Sequence, residues 1–355
     1  MSFNVGKTEL TIQNVGELNS PFSSNYDRIK ASNSVNIPFE LVVCLTYFEE
    51  IKRIIITDFN DRSFKILDLN GNYLGSYNPD QLLERPGPVC VSNSAKEIYI
   101  QDHAYEKIFV FDTNFKFLRD FGDERCQTPF GSTIDETTSR IYLSAYLNNL
   151  ITMWDTKTGN FVAEIEIFSP TFMNIFRSKL FVMSATESEI FTTEATLEAT
   201  INNQNSIFIF NKYNYEILNK IQIKNCIHPK GLHIDDCMTI YLTAYDISLN
   251  ESMKEAKASE VSNVRVQSTS TPNENSTETT TANENGGEQG QTQNQSNSFN
   301  TNDRTRCLYK LSENGEIIGK TNLSLSGIFS MVIVDKKLYA IRGYRTPPVY
   351  MIEFE

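Results

Sequence analysis

The chain has 355 residues, 40% of them hydrophobic, and a formal net charge of −12 at pH 7. Such a composition can bury a core, and its acidity argues against polyphosphate partners, whose affinity comes largely from Lys and Arg displacing counterions. No stretch approaches the roughly 18 consecutive apolar residues of a membrane span. The N-terminus, MSFNVGKTEL, lacks the basic and apolar regions of a secretory signal.

In chain order, residues 1–36 read as a closing strand (KTELTI, 7–12) and a linker, and residues 37–355 read as repeating β units. A strand motif recurs as IIITD (54–58), IYIQD (98–102), IYLSA (141–145), LFVMS (180–184), IYLTA (240–244) and LYAIR (338–342). The starts are 44, 43, 39, 60 and 98 residues apart. A second strand follows each one: FKILD (64–68), IFVFD (108–112), ITMWD (151–155), IFIFN (207–211), LYKLS (308–312) and VYMIE (349–353). A third follows a tight turn, as in NYLGSY (72–77) and GNFVAEIEI (159–167). The strand that opens a unit is often led by proline, as in PGPVCVS (86–92), PFGSTID (129–135) and PKGLHID (229–235), where the missing N–H costs no ladder bond.

Each unit therefore carries strands a, b, c and d, with a period of about 40–45 residues, which is that of a propeller blade. The two long spacings hold polar insertions at about 185–205 and about 250–304. The second insertion includes TPNENSTETTTANENGGEQGQTQNQSNS (271–298), whose only apolar residue is one Ala, and this predicts disorder. The last unit stops after its c strand, and KTELTI is a spare strand that would complete it. These observations predict an all-β, six-bladed β-propeller of four-stranded antiparallel blades, with the N-terminal strand closing the last blade.

The segment IYIQDHAYEKIFVFDTNFKFLRDFG (98–122) resembles the NHL repeat, whose core is Asp-x-x-Asn-x-Arg-Ile followed by strands ending in Phe-Asp and Phe-Gly. Asp102 matches the Asp, Lys107 stands at the Arg position, and Phe111-Asp112 and Phe121-Gly122 match theirs. In the first unit Asp58 matches, Arg62 sits one position early and Ser63 occupies the Arg slot; in the third, Asn148 matches and Ala145 replaces the Asp. The resemblance implies a six-bladed ring. Other six-bladed propellers to which the fold is similar include gluconolactonase-like hydrolases and amidating lyases, with Ca or Zn in the channel.

Strand polarity alternates, so b–c and d–a connections share one rim. Phe59, His103, Tyr146 and Tyr245 follow the b motif in four units, with Tyr105 and Tyr344 one or two positions on. Arg62, Lys107 and Arg345 lie in the same loops, with Asn148. Such rings suit stacking and apolar burial of a ligand, and such cations suit carboxylates or phosphates; alternatively, the rings cap the spaces between blades. Both insertions also belong to this rim and carry nine of the twelve net negative charges, leaving the body near neutral.

The cysteines have no zinc-knuckle spacing, and the histidines, His103, His228 and His233, have no paired spacing. Buried, reduced thiols in a cytoplasmic protein are expected. His233, in an innermost strand, could face the channel. No phosphate loop, dinucleotide motif or Gly-x-Ser-x-Gly elbow occurs, so no cofactor, metal site or catalytic residue is assigned. Trp154, at the end of a c strand, reads as core between blades. The expectation is a non-catalytic platform that binds a protein segment on the b–c loop face. The first alternative is a metal-dependent hydrolase or lyase, in which acids such as Asp235 and Asp335 would face the channel. Single-stranded RNA is a weaker alternative, opposed by the acidic insertions.

Overall fold

The structure, a computed structural model, describes residues 39–185, 205–223, 226–246, 306–323, 328–341 and 349–353. The expected closing strand at 7–12 and most of both insertions lie outside these residues. The described strands form six antiparallel sheets in chain order. Blade 1 holds β1 (Val42–Phe48), β2 (Arg53–Asp58), β3 (Ser63–Leu67) and β4 (Tyr73–Tyr77). Blade 2 holds β5 (Pro86–Ser92), β6 (Glu97–Asp102), β7 (Lys107–Asp112) and β8 (Phe117–Phe121). Blade 3 holds β9 (Pro129–Asp135), β10 (Arg140–Ala145), β11 (Leu150–Asp155) and β12 (Phe161–Glu166). Blade 4 holds β13 (Pro170–Phe176), β14 (Lys179–Ser184), β15 (Ser206–Asn211) and β16 (Ile217–Gln222). Blade 5 holds β17 (Cys226–Ile234), β18 (Ile240–Asp246), β19 (Arg306–Leu311) and β20 (Ile317–Leu323). Blade 6 holds β21 (Ser330–Val334), β22 (Lys337–Ile341) and β23 (Val349–Glu353).

The burial pattern follows from this architecture. Strands b and c are covered on both faces by neighbouring blades, so they are buried along nearly their whole length and mostly apolar; in β2, Ile54, Ile55 and Ile56 are all fully buried. Strand d is the outer edge and alternates, as in Tyr73–Tyr77, where every second side chain is exposed. The apolar core is divided among the seams. Phe64 and Ile66 pack on Ile98 and Phe111 between blades 1 and 2. Cys90 and Tyr99 meet Ile141 and Trp154 between blades 2 and 3, so the single tryptophan is core. Val42 and Ile54 meet Tyr339 and Val349 between blades 1 and 6. That last seam closes the ring: β21 packs beside β1, as each inner strand packs beside the next. The Tyr339 hydroxyl also donates to the Leu69 carbonyl across it, at 2.7 Å.

Polar links add register to several seams. Lys212, after β15, places Nζ 2.7 Å from Asp135 Oδ1, at the end of β9, and 2.7 Å from Thr137 Oγ1. Both charged side chains are almost fully buried. The Lys212 ammonium and the Thr137 and Thr138 hydroxyls hold the Asp135 carboxyl below the usual range, against the opposing effect of its burial. Arg119 spans another seam, gripping Glu97 through both Nη atoms and donating to the Thr156 carbonyl at 2.8 Å. Among the described residues, no helix is long and apolar enough to cross a membrane.

Removing one member of a buried pair strands the other charge. Lys212→Met should therefore destabilise the fold by about 3–5 kcal/mol in urea titration, and Lys212→Met with Asp135→Asn should recover most of that loss. A loss below about 1 kcal/mol for the single variant would assign the pair to the solvated class.

Candidate functional site

The b–c rim is fixed by ties between the loop after strand b and the d–a connection. Asp58 accepts the Glu40 and Leu41 amides, each at 2.9 Å, and the Phe59 amide donates back to Leu41 O at 2.8 Å. Asp102 repeats this with the Glu84 and Arg85 amides at 2.9 and 2.8 Å, and His103 N donates to Arg85 O at 2.9 Å. In blade 3, whose motif lacks the Asp, Asn149 takes over: its Oδ1 accepts Ser169 N at 2.8 Å and its carbonyl accepts Ile167 N at 2.9 Å. The tie is thus made by Asn149, one position beyond Asn148, which remains exposed.

These ties set Phe59 and His103 together, edge to face, with ring centroids 5.6 Å apart. Arg85 stands 5.9 Å above the Phe59 ring. The imidazole lies against Gly87, the second residue of β5, where an added Cβ would come 2.4 Å from Nε2, so a side chain there would displace the ring. Burial holds the His103 pKa below its ordinary value, with Asp102 opposing. Tyr146 belongs to a second group: it packs 5.7 Å from Phe130, which meets Phe172 at 5.3 Å. Tyr105 lies 5.9 Å from Phe109 and is half exposed.

Two of the expected cations are engaged by acids. Arg62 pairs with Glu84 at 2.9 Å, and Lys107 pairs with Asp120. Tyr245 is a strand residue, paired with Ile227 and Arg306, and not a loop residue. Tyr344 and Arg345 lie outside the described residues. Asp235 and Asp335 do not face the channel. Asp235 organises the turn before β18, accepting Cys237 N at 2.9 Å and Thr239 N at 2.8 Å, and Asp335 sits in the turn before β22 with φ 49°.

The inner strands enclose a cavity of about 170 Å³. Its wall includes Cys44, Cys90, Ser132, Asn174, His233 and Ser330, and no Asp, Glu, Lys or Arg. His233 does line the channel, and burial lowers its pKa to about 4, so the ring is neutral. Among the described residues, no group of three or more His, Cys, Asp or Glu is placed to hold a metal ion.

Sequence reasoning missed the residue that dominates the mouth. Lys230 Nζ stands 4.6 Å from the Phe130 centroid and 4.7 Å from that of Phe329. Phe130 belongs to blade 3 and Phe329 leads into blade 6, and those blades face each other across a six-membered ring. The ammonium of this blade 5 lysine therefore reaches the ring axis, above a cavity whose wall includes Gly131, Leu232 and Ser330. The cause is local. Gly231 has φ +62° and the β17–β18 register shifts between Lys230 and Leu232, a bulge that re-aims the side chain. An added Cβ at Gly231 would also come 2.7 Å from Met331 Cγ. Arg306 lies close by: its Nη1 donates to Thr243 Oγ1 at 3.1 Å, and that hydroxyl donates to Lys230 O at 2.9 Å. Burial first, and Arg306 second, push the Lys230 pKa down to about 7. The available signal was a lysine followed by glycine, in a strand position where other blades carry apolar or small residues.

No family model matches the sequence, and no curated protein matches it. Solved structures do share the fold. Hydrazine synthase of Kuenenia stuttgartiensis is 13% identical with a TM-score of 0.54, over 88% of this chain and 76% of that one. A streptogramin B lyase is 12% identical with a TM-score of 0.50, over 90% of this chain and 96% of that one. At these identities the likeness is one of architecture, the six-bladed propeller.

A lysine whose folded pKa lies below its unfolded value binds fewer protons when folded, so stability rises with pH between the two values. From Lys230, stability should increase from about pH 7 towards the unfolded value of roughly 10.4. Lys230→Met should be more stable than the parent at neutral pH and should flatten that rise in urea midpoints measured across the window. Parallel curves for the two proteins would contradict a buried, depressed lysine.

Proposed function

We propose that this propeller is a non-catalytic platform that binds a protein segment on its b–c rim. The observation that carries the reading is an arc of exposed apolar side chains on adjoining loops of that rim. Tyr105 is 51% exposed, Leu147 67% and Phe168 54%. Leu147 and Phe168 come from loops tied together by the Asn149–Ser169 bond, so the arc is presented on a fixed frame. Large apolar groups grouped on ordered loops mark partner surfaces more often than isolated ones do. The aromatic pairs below, Phe59–His103 and Tyr146–Phe130, supply a firm floor at low entropic cost. Protein is favoured over single-stranded RNA because Arg62 and Lys107 are already paired with acids.

The likeness to a streptogramin B lyase prompts the hydrolase or lyase alternative. A channel-bound Ca or Zn ion draws on carboxylates, histidines or thiolates, whereas the described cavity wall offers His233, the Cys44 and Cys90 thiols, whose pKa values burial raises, and no carboxylate, and this favours the binding reading.

Selection from a displayed peptide library tests this reading. The parent should enrich a related set of sequences, and Leu147→Asp with Phe168→Asp should lose them at an unchanged thermal midpoint. Ile217→Asp, on the exposed edge of β16, should retain them. Retention by the rim variant, or loss by the edge variant, would move the surface elsewhere.

A further inference from the structure

We infer that the channel holds a binding site for a small, planar, uncharged ring with a hydrogen-bonding edge, a cyclic amide or imide, lying across the axis. The inference does not depend on a protein partner at the rim.

The strand registers set one rung of the channel apart. In each blade the second residue of the b motif pairs with one residue of the inner strand. Those partners are Thr46, Cys90, Thr133, Asn174, His233 and Val332, one from each blade. All six lie in the cavity wall, and all but Val332 carry a hydrogen-bonding group without a formal charge. His233 is neutral because burial lowers its pKa to about 4. Among the described residues, the Asn174 amide and the His233 ring have no hydrogen-bond partner. Each inner strand is also a sheet edge, bonded to its b strand alone among the described strands. Its other edge therefore carries unpaired N–H and C=O groups around the axis.

The rungs on either side of this belt are mostly apolar. One holds Leu45, Val89, Met173, Leu232 and Met331, and Val91 and Ile134 stand on the other. The exception is Ser132, whose hydroxyl is buried with only the Cys90 thiol, a weak partner, beside it. A flat ring across the axis would set its edge on the polar belt and its faces on apolar side chains. The cavity of about 170 Å³ suits such a ring, since an engineered cavity of about 150 Å³ in another protein takes benzene. No charged side chain lines the wall, so an ionised ligand would lose hydration without gaining a counter-charge.

NMR titration of the full chain with three probes tests the inference: uracil, benzene and orotate. Uracil should bind at one site per chain. Benzene, which lacks the polar edge, and orotate, which adds a carboxylate to the same ring, should each bind roughly tenfold or more weakly. Thr133→Val and Asn174→Leu, which keep side-chain size, should each weaken uracil about tenfold and leave benzene unchanged. The ranking of the three probes on the parent decides the matter even if a variant folds poorly. Benzene or orotate binding as tightly as uracil would overturn the inference. So would a channel that takes up water only, with no response to uracil up to its solubility, or uracil binding that both folded variants retain in full.

Discussion

The ammonium of Lys230 sits where the six inner strands converge, between a phenyl ring from blade 3 and one at the entry to blade 6. An ammonium loses hydration when buried, and ring faces offset only part of that loss, by about 0.5–2 kcal/mol each. Such a group is held there only if the backbone gives it no easy exit. The bulge at Gly231 supplies that constraint by turning one position of β17 out of register. Phe172 and Tyr146 pack on Phe130, and Arg306 approaches from β19 of the same blade by way of Thr243 in β18.

The rim above obeys a different rule. In blades 1, 2 and 3 the loop after strand b is tied to the segment that leads into an inner strand, on the face that both kinds of loop share. Asp58 and Asp102 make the tie with a carboxylate that accepts two backbone amides, and Asn149 makes it with an amide oxygen. The Asp of the repeat is therefore a structural group that positions its neighbour. Phe59 and His103 are brought together by it, and His103 is further constrained by its contact with Gly87.

Much of this was legible in the sequence because a blade is a local unit. The b and c strands are mostly apolar because both faces are covered, so IIITD and IFVFD reveal the repeat without any tertiary information. Phe59, His103 and Tyr146 could be placed on one rim by counting strands. The pairing of Arg62 with Glu84 and of Lys107 with Asp120 was not legible, because the acids come from a d–a connection and a d strand rather than the same loop. Lys230 was hidden for a stronger reason. Its neighbours Phe130 and Phe329 lie 100 residues before it and 99 after it, and they meet only when the ring closes. The left-handed backbone at Gly231 leaves no trace beyond the glycine itself.

The central claim is that one lysine is held, desolvated, at the axis. Selective ¹³C labelling of lysine Cε, followed by NMR titration, addresses it directly. The account predicts one resonance with a midpoint near 7, absent from Lys230→Arg, while exposed lysines titrate at roughly 10.4. If every lysine in the folded chain titrates together near the upper value, Lys230 is solvated and the account of the mouth is wrong.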